Sequence, residues 1–162
     1  MVRFNAMTRY VSQVALATST AVATVISFST PASATALGYG KVTGFCFDAK
    51  GVELCLPTTS IGHFIQGSGR TITREEASIQ DTLGGDTAGG RWCNWHIDWR
   101  YSDTNGRTYL VSKGPVHTSC ADFTSLGRID TTRRTLKHYG KACADFFAAG
   151  AKRGTQCHNI IK

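Results

Sequence analysis

The sequence predicts a single all-β domain, stapled by disulfides into a small sandwich or barrel-like fold. Three observations predict it. Trp95, Ile97, Trp99 and Tyr101 alternate with Asn94, His96, Asp98 and Arg100, and a period of two marks a half-buried strand. Six cysteines, an even number, stand in a chain of 162 residues that opens on an export signal; together these read as a disulfide framework. Charged residues make up 18% of the chain and hydrophobic ones 41%, which excludes a disordered protein, since such chains are charge-rich and apolar-poor. The alternative class is α+β with one C-terminal helix, because Leu136, Tyr139, Cys143 and Phe147 also recur at helical spacing.

Residues 1–36 read as a signal peptide. Arg3 and Arg9 form a positive start, Val11–Phe28 is small and apolar, and Pro31-Ala32-Ser33-Ala34-Thr35-Ala36 carries overlapping Ala-x-Ala sites. Ser12, Gln13, Thr18, Ser19, Thr20 and Thr24 make the stretch too polar for a good membrane span. Cleavage after Ala36 is preferred over Ala34. The expectation is a secreted, extracellular protein with no membrane contact once the signal is gone. Removing 36 residues from 162 leaves 126, and losing Arg3 and Arg9 lowers the formal charge from +7 to +5.

The mature chain divides into a flexible N-terminal arm, 37–44, and a single secreted domain, 45–162. Three glycines in eight residues and no cysteine suggest the arm. Phe45-Cys46-Phe47 and Val52–Leu56 flank Asp48-Ala49-Lys50-Gly51, which predicts a first hairpin. His63–Gln66 and Thr71-Ile72-Thr73 predict a second around Gly67-Ser68-Gly69. A helix over Glu75–Leu83 competes there, because Thr73-Arg74-Glu75-Glu76 matches a capping box. Gly84–Gly90 has the composition of a surface loop. The alternating run at Trp95–Tyr101 turns at Asn105-Gly106 and returns over Thr108–Ser112, which places Tyr109 and Val111 in the core beside Trp95, Ile97 and Trp99. In the C-terminal third, Gly140, Gly150 and Gly154 argue against the helix. A hairpin of Ala142–Phe147 with Thr155–Ile161, folded about Gly150, sets Cys143 opposite Cys157.

The cysteines Cys46, Cys55, Cys93, Cys120, Cys143 and Cys157 are separated by 9, 38, 27, 23 and 14 residues. No Cys-x-x-Cys occurs, so a zinc site is not predicted. Pairing of neighbours is: Cys46–Cys55, Cys93–Cys120 and Cys143–Cys157. The hairpin argument supports the last best. For the first there is a conflict, because a three-residue loop at Ala49–Gly51 would set Phe45 opposite Cys55.

Motifs for catalysis are absent. There is no Gly-x-Ser-x-Gly, Walker sequence, His-Glu-x-x-His or calcium loop. A secreted ribonuclease would need two acid/base groups and a cation near the phosphate, for which Glu75 or Glu76, His96, His117, Arg100 and Arg128 are the available set. Polar residues of the alternating strand otherwise read as its solvated face. The C-terminal third is basic, but no positive stripe interleaved with aromatics points to nucleic acid. No cofactor, metal or catalytic residue is predicted.

The Ala-rich signal, the six-cysteine mature domain and the Trp-rich strand at Trp92–Tyr101 resemble the secreted proteins of filamentous actinobacteria. In general build the chain is similar to the small adaptor subunit of the umbrella toxin particles. That resemblance implies a non-enzymatic adaptor, linking subunits of an extracellular antibacterial toxin complex. A small secreted hydrolase such as a ribonuclease is the alternative, as is a protease inhibitor presenting Ile79–Gly90. The expected partner is another secreted protein, not nucleic acid. The expected contact is the arm, adding as a strand to the partner's sheet edge, with Tyr39 and Lys41 on one face and Val42 on the other.

Overall fold

The computed structural model describes residues 35–49, 51–56, 58–80, 91–122 and 126–162. Among them the chain is all-β. In chain order the strands are β1 (Ala36–Val42), β2 (Phe45–Ala49), β3 (Val52–Leu56), β4 (Thr59–Ser68), β5 (Thr71–Gln80), β6 (Arg91–Trp92) and β7 (Trp95–Asp103). They continue as β8 (Thr108–Ser112), β9 (Ala121–Asp122), β10 (Gly127–Asp130), β11 (Arg134–Thr135), β12 (Gly140–Ala148) and β13 (Ala151–Ile160). One antiparallel sheet in the order β10-β5-β4-β1-β13-β12-β7-β8 curls into a half-barrel, with β11 on β5. The hairpin β2-β3 and the short pair β6-β9 stand apart from it. The competing helices over 75–83 and 133–149 do not form in the described residues: β5 and β12 occupy those stretches as strands.

The half-barrel is filled by matching large side chains to small ones. Trp95, Ile97, Trp99 and Tyr101 of β7 stand opposite Ala148, Phe146, Ala144 and Ala142 of β12, and all eight are buried. Alanines on one strand leave room for indoles and a phenol on the next, which is how a small barrel interior is filled without voids. Val111 departs from the expected core: it is 45% exposed. A bulge between Tyr101 and Ser102 changes the phase of β8, turning Tyr109 inward and Val111 out.

All three disulfides form as expected, Cys46–Cys55, Cys93–Cys120 and Cys143–Cys157. Cys143 faces Cys157 directly across β12-β13, with Ala149 and Gly150 at positive φ in the turn. Cys46 faces Cys55 because the first hairpin turns tighter than a three-residue loop: Ala49 itself pairs with Val52.

The N-terminal stretch requires a correction. Residues 37–44 are not a flexible arm outside the body. Ala36–Val42 is a strand within the sheet, paired over its whole length with β4 and at Val42 with Gly154 of β13. Its glycines serve packing. A Cβ at Gly40 would lie 2.3 Å from the Thr155 carbonyl oxygen, so the strand can lie against β13 only without one. Among the described residues the sheet is entered at Ala36, and 45 is not a boundary. Residues 1–34 of the expected signal peptide, 1–36, and the expected loop 84–90 lie outside the described residues, and Ala36, on the signal side of the expected cleavage, is the first residue of β1.

Candidate functional site

The inward positions of β4, β5, β7 and β13 place a polar cluster in the core of the half-barrel. His63 Nε2 lies 3.1 Å from Glu75 Oε1. The Tyr101 hydroxyl donates to Glu75 Oε2 at 2.5 Å and accepts from Arg134 Nη1 at 2.6 Å. Burial, then the adjacent Glu75 charge, pushes the Tyr101 phenol far above its usual range, so it stays a neutral donor. Rings stack across the core: Arg128 lies over Trp99 at 4.8 Å, Trp99 stacks on His63 at 5.6 Å, and His63 meets His158 at 4.9 Å. Burial, followed by the neighbouring His63, lowers the His158 pKa against the raising effect of its hydrogen bond to the His63 carbonyl. A general acid or base must reach a substrate proton. Here His63 and Tyr101 are fully buried and Glu75 is 2% exposed, so the cluster offers substrate no surface in this conformation. Buried polar groups with partners of this kind specify a core.

Arg128 also bridges the open edges of the half-barrel. From β10 it donates to the carbonyls of Ile97 and Ser112 at 2.9 and 2.7 Å, and to Ser112 Oγ at 3.1 Å. One guanidinium thus joins β10 to β7 and β8, which are not paired as strands with it among the described residues.

The residues weighed for acid/base chemistry are not assembled into one site. Glu75 faces the core. Glu76 faces outward and pairs with Arg74 at 2.8 Å. On the outer side of β7, His96 stacks on Phe147 and lies 3.9 Å from Asp98. Arg100 forks onto Asp145 at 2.6 and 3.1 Å, and His117 stacks on Trp95. Nor is this side of β7 the solvated face its sequence suggests. Asp98 is buried and accepts from the Gly114 amide. Asp145 is buried too, and Thr155 and Lys152 also reach it. Burial alone would raise the Asp145 pKa, but hydrogen bonds from Arg100 and Thr155 and their neighbouring cations hold it below the ordinary range. Cys46, Glu53 and Cys55 place ligand atoms within 4.8 Å of one another, but both sulfurs are spent in a disulfide and supply no thiolate.

What remains open is the outer face of β1, β4, β5 and β10. Sheet register sets out its side chains in rows. Leu37, Phe64, Glu76 and Ile129 form one row across four strands, and Tyr39, Gly62, Ser78 and Gly127 the next. Leu37, Tyr39 and Ile129 are 61%, 63% and 60% exposed. The Tyr39 ring lies over Gly62, within 3.2 Å of where a Cβ would be. Leu37, Tyr39, Phe64, Glu76 and Gln80 enclose a depression of about 190 Å³. Of the residues expected to meet a partner, Tyr39 and Lys41 lie on this exposed face. Val42 does not: it is fully buried, facing the core. Phe64 and Ile129 were not anticipated. The signal for Phe64 was in the strand alternation of His63–Gln66, whereas Ile129 required the pairing of β10 with β5.

No family model matches the chain, and neither a curated protein nor a solved structure does.

Proposed function

We propose that this protein is an exported, non-enzymatic binding module whose partner, another secreted protein, docks on the outer face of β1, β4, β5 and β10. The observation that carries the reading is the row of large apolar side chains there. Leu37, Phe64 and Ile129, with Tyr39 beside them, share one surface, and Leu37, Tyr39 and Ile129 keep about three fifths of their area in water. Leu37, Phe64 and Tyr39 adjoin one another there, and Glu76, paired with Arg74, stands between Phe64 and Ile129. Exposed apolar side chains grouped in this way favour association, and aromatic anchors dominate binding energy at protein interfaces. Three disulfides suit an oxidising, extracellular compartment, and no helix of the described residues is long and apolar enough to cross a membrane. An adaptor of the kind implied by the resemblance to umbrella toxin particles would use such a face to hold one subunit.

The mode differs from strand addition. β1 is paired along its length with β4 and meets β13 on its other side, pairing there at Val42, so it is an inner strand and not a sheet edge. Recognition therefore runs through side chains. The test is co-purification from the culture medium of the source organism with the tagged protein and its Leu37→Ser/Tyr39→Ser double variant. A stoichiometric partner retained by the parent and lost by the variant is the expected result. Equal recovery would place the contact elsewhere, and RNA turnover by the pure protein would favour a ribonuclease.

A further inference from the structure

We infer that the tip of the β4-β5 hairpin, with the loop before β11, forms a second binding site, for an anionic sugar unit. The unit is a phosphate or carboxylate on a hydroxyl-bearing carbon skeleton. Gln66, Gly67, Ser68, Thr71, Thr73 and Arg133 line an open pocket of about 430 Å³. Its lining is a set of hydroxyls, one amide and one guanidinium, with no acid among them.

A bulge builds the pocket. Gln66 pairs with Arg74 and Gly67 with Ile72, leaving Thr73 as the extra residue. Such a residue is re-aimed out of the strand's alternation, and the Thr73 hydroxyl donates to the Gln66 carbonyl at 3.1 Å. Gly67 makes the kink feasible, since a Cβ there would lie 2.1 Å from the Thr71 carbonyl oxygen. On the other wall, Thr71 Oγ1 is 3.2 Å from Thr135 Oγ1, tying the hairpin to β11.

The charge points to an anion. Arg133 and Arg134 are adjacent but differ in use: Arg134 is held by Asp130 and Tyr101, whereas no hydrogen bond or ion pair engages Arg133 among the described residues. Of the cations around the pocket, Arg74 is paired with Glu76 and Arg134 with Asp130, whereas Arg70, Arg133 and Lys137 have no ion-pair partner among the described residues. An uncompensated guanidinium in such a field attracts phosphate and carboxylate, which it can bind through two parallel hydrogen bonds. The Ser68 hydroxyl and the Gln66 amide can donate and accept, and the Thr71 and Thr73 hydroxyls, already hydrogen-bonded to Thr135 and to the Gln66 carbonyl, keep acceptor lone pairs. Together they suit the hydroxyls of a sugar or polyol. This site is separate from the outer-face row and does not depend on it.

The test is a titration of the mature, oxidised protein, followed by amide chemical shifts. The probes are sn-glycerol 3-phosphate, galacturonate, inorganic phosphate and neutral galactose. Both acids with a carbon skeleton should shift the amides of 66–73 and 133, inorganic phosphate should bind several-fold more weakly, and galactose should not bind. The tighter of the two acids identifies the source, phosphodiester or uronate. Arg133→Gln should weaken binding about tenfold, Arg133→Lys should restore part of it, and Leu37→Ser/Tyr39→Ser should leave it unchanged. Binding should also fall as salt is raised. Galactose equal to the acids, inorganic phosphate equal to glycerol 3-phosphate, or an Arg133→Gln variant with native spectrum and undiminished binding would each overturn the proposal.

Discussion

Trp99 is the residue on which the core turns. Its indole carries Arg128 on one side and His63 on the other, and it fills the space left by Ala144 on β12. Truncating it opens a cavity that the surrounding strands cannot close, so Trp99→Ala should cost about 3–5 kcal/mol, read from urea unfolding of the oxidised protein. Asp145 gives a prediction in pH. Its folded pKa is depressed, so its contribution to stability is fully present above the unfolded value near ~3.9 and declines as pH falls through the folded pKa. Asp145→Asn should therefore lower the urea midpoint at pH 7, with the difference from the parent shrinking towards pH 2. A difference independent of pH would mean that packing, not the charge on Asp145, is what the variant loses. Single residues were the least legible part of the sequence. Glu75 was visible only as a capping-box residue or a catalytic acid, and its place beside His63 and Tyr101 depends on three strands meeting across the core.

Among the elements, β1 shows where composition misleads. Leu37-Gly38-Tyr39-Gly40-Lys41 alternates large with minimal side chains, the pattern of a strand exposed on one face and closely packed on the other. Glycine abundance suggested flexibility instead, because the close approach of β13 is not visible from β1 alone. Gly40→Ala forces a methyl against the Thr155 carbonyl oxygen and should destabilise the protein by about 1–3 kcal/mol, seen as a lower urea midpoint. Deleting 37–44 should disrupt the sheet, where a frayed tail would be dispensable. The hairpins were more legible. Alternation at Trp95–Tyr101, the Asn-Gly turn and symmetry about Gly150 are local signals, and local signals set register. Reducing and replacing the Cys143–Cys157 pair by alanines should cost about 2–4 kcal/mol, because those cysteines already face each other across a formed hairpin. Val111 failed the same local reasoning, since one bulge in β7-β8 reverses every side chain beyond it.

At the scale of the whole molecule, the half-barrel holds His63, Glu75 and Tyr101 in its core and leaves Leu37, Tyr39 and Ile129 exposed outside. Fold class and disulfide pairing follow from period and cysteine arithmetic, which are properties of short segments. The proposed binding face does not, because Leu37, Phe64 and Ile129 are far apart in sequence and come into one row, with Glu76 between the last two, only through the β1-β4-β5-β10 register. The central claim is that a protein partner docks on this face. Its most direct test is a photo-crosslinking benzophenone side chain placed at position 39, and separately at position 110 on β8, in protein exposed to the culture medium of the source organism. Leu110 is also exposed, but lies on the edge strand β8, which is not one of the four strands of that face. The account predicts one discrete crosslinked protein from position 39 and none from position 110. No crosslink from 39, or the same product from both positions, would contradict it.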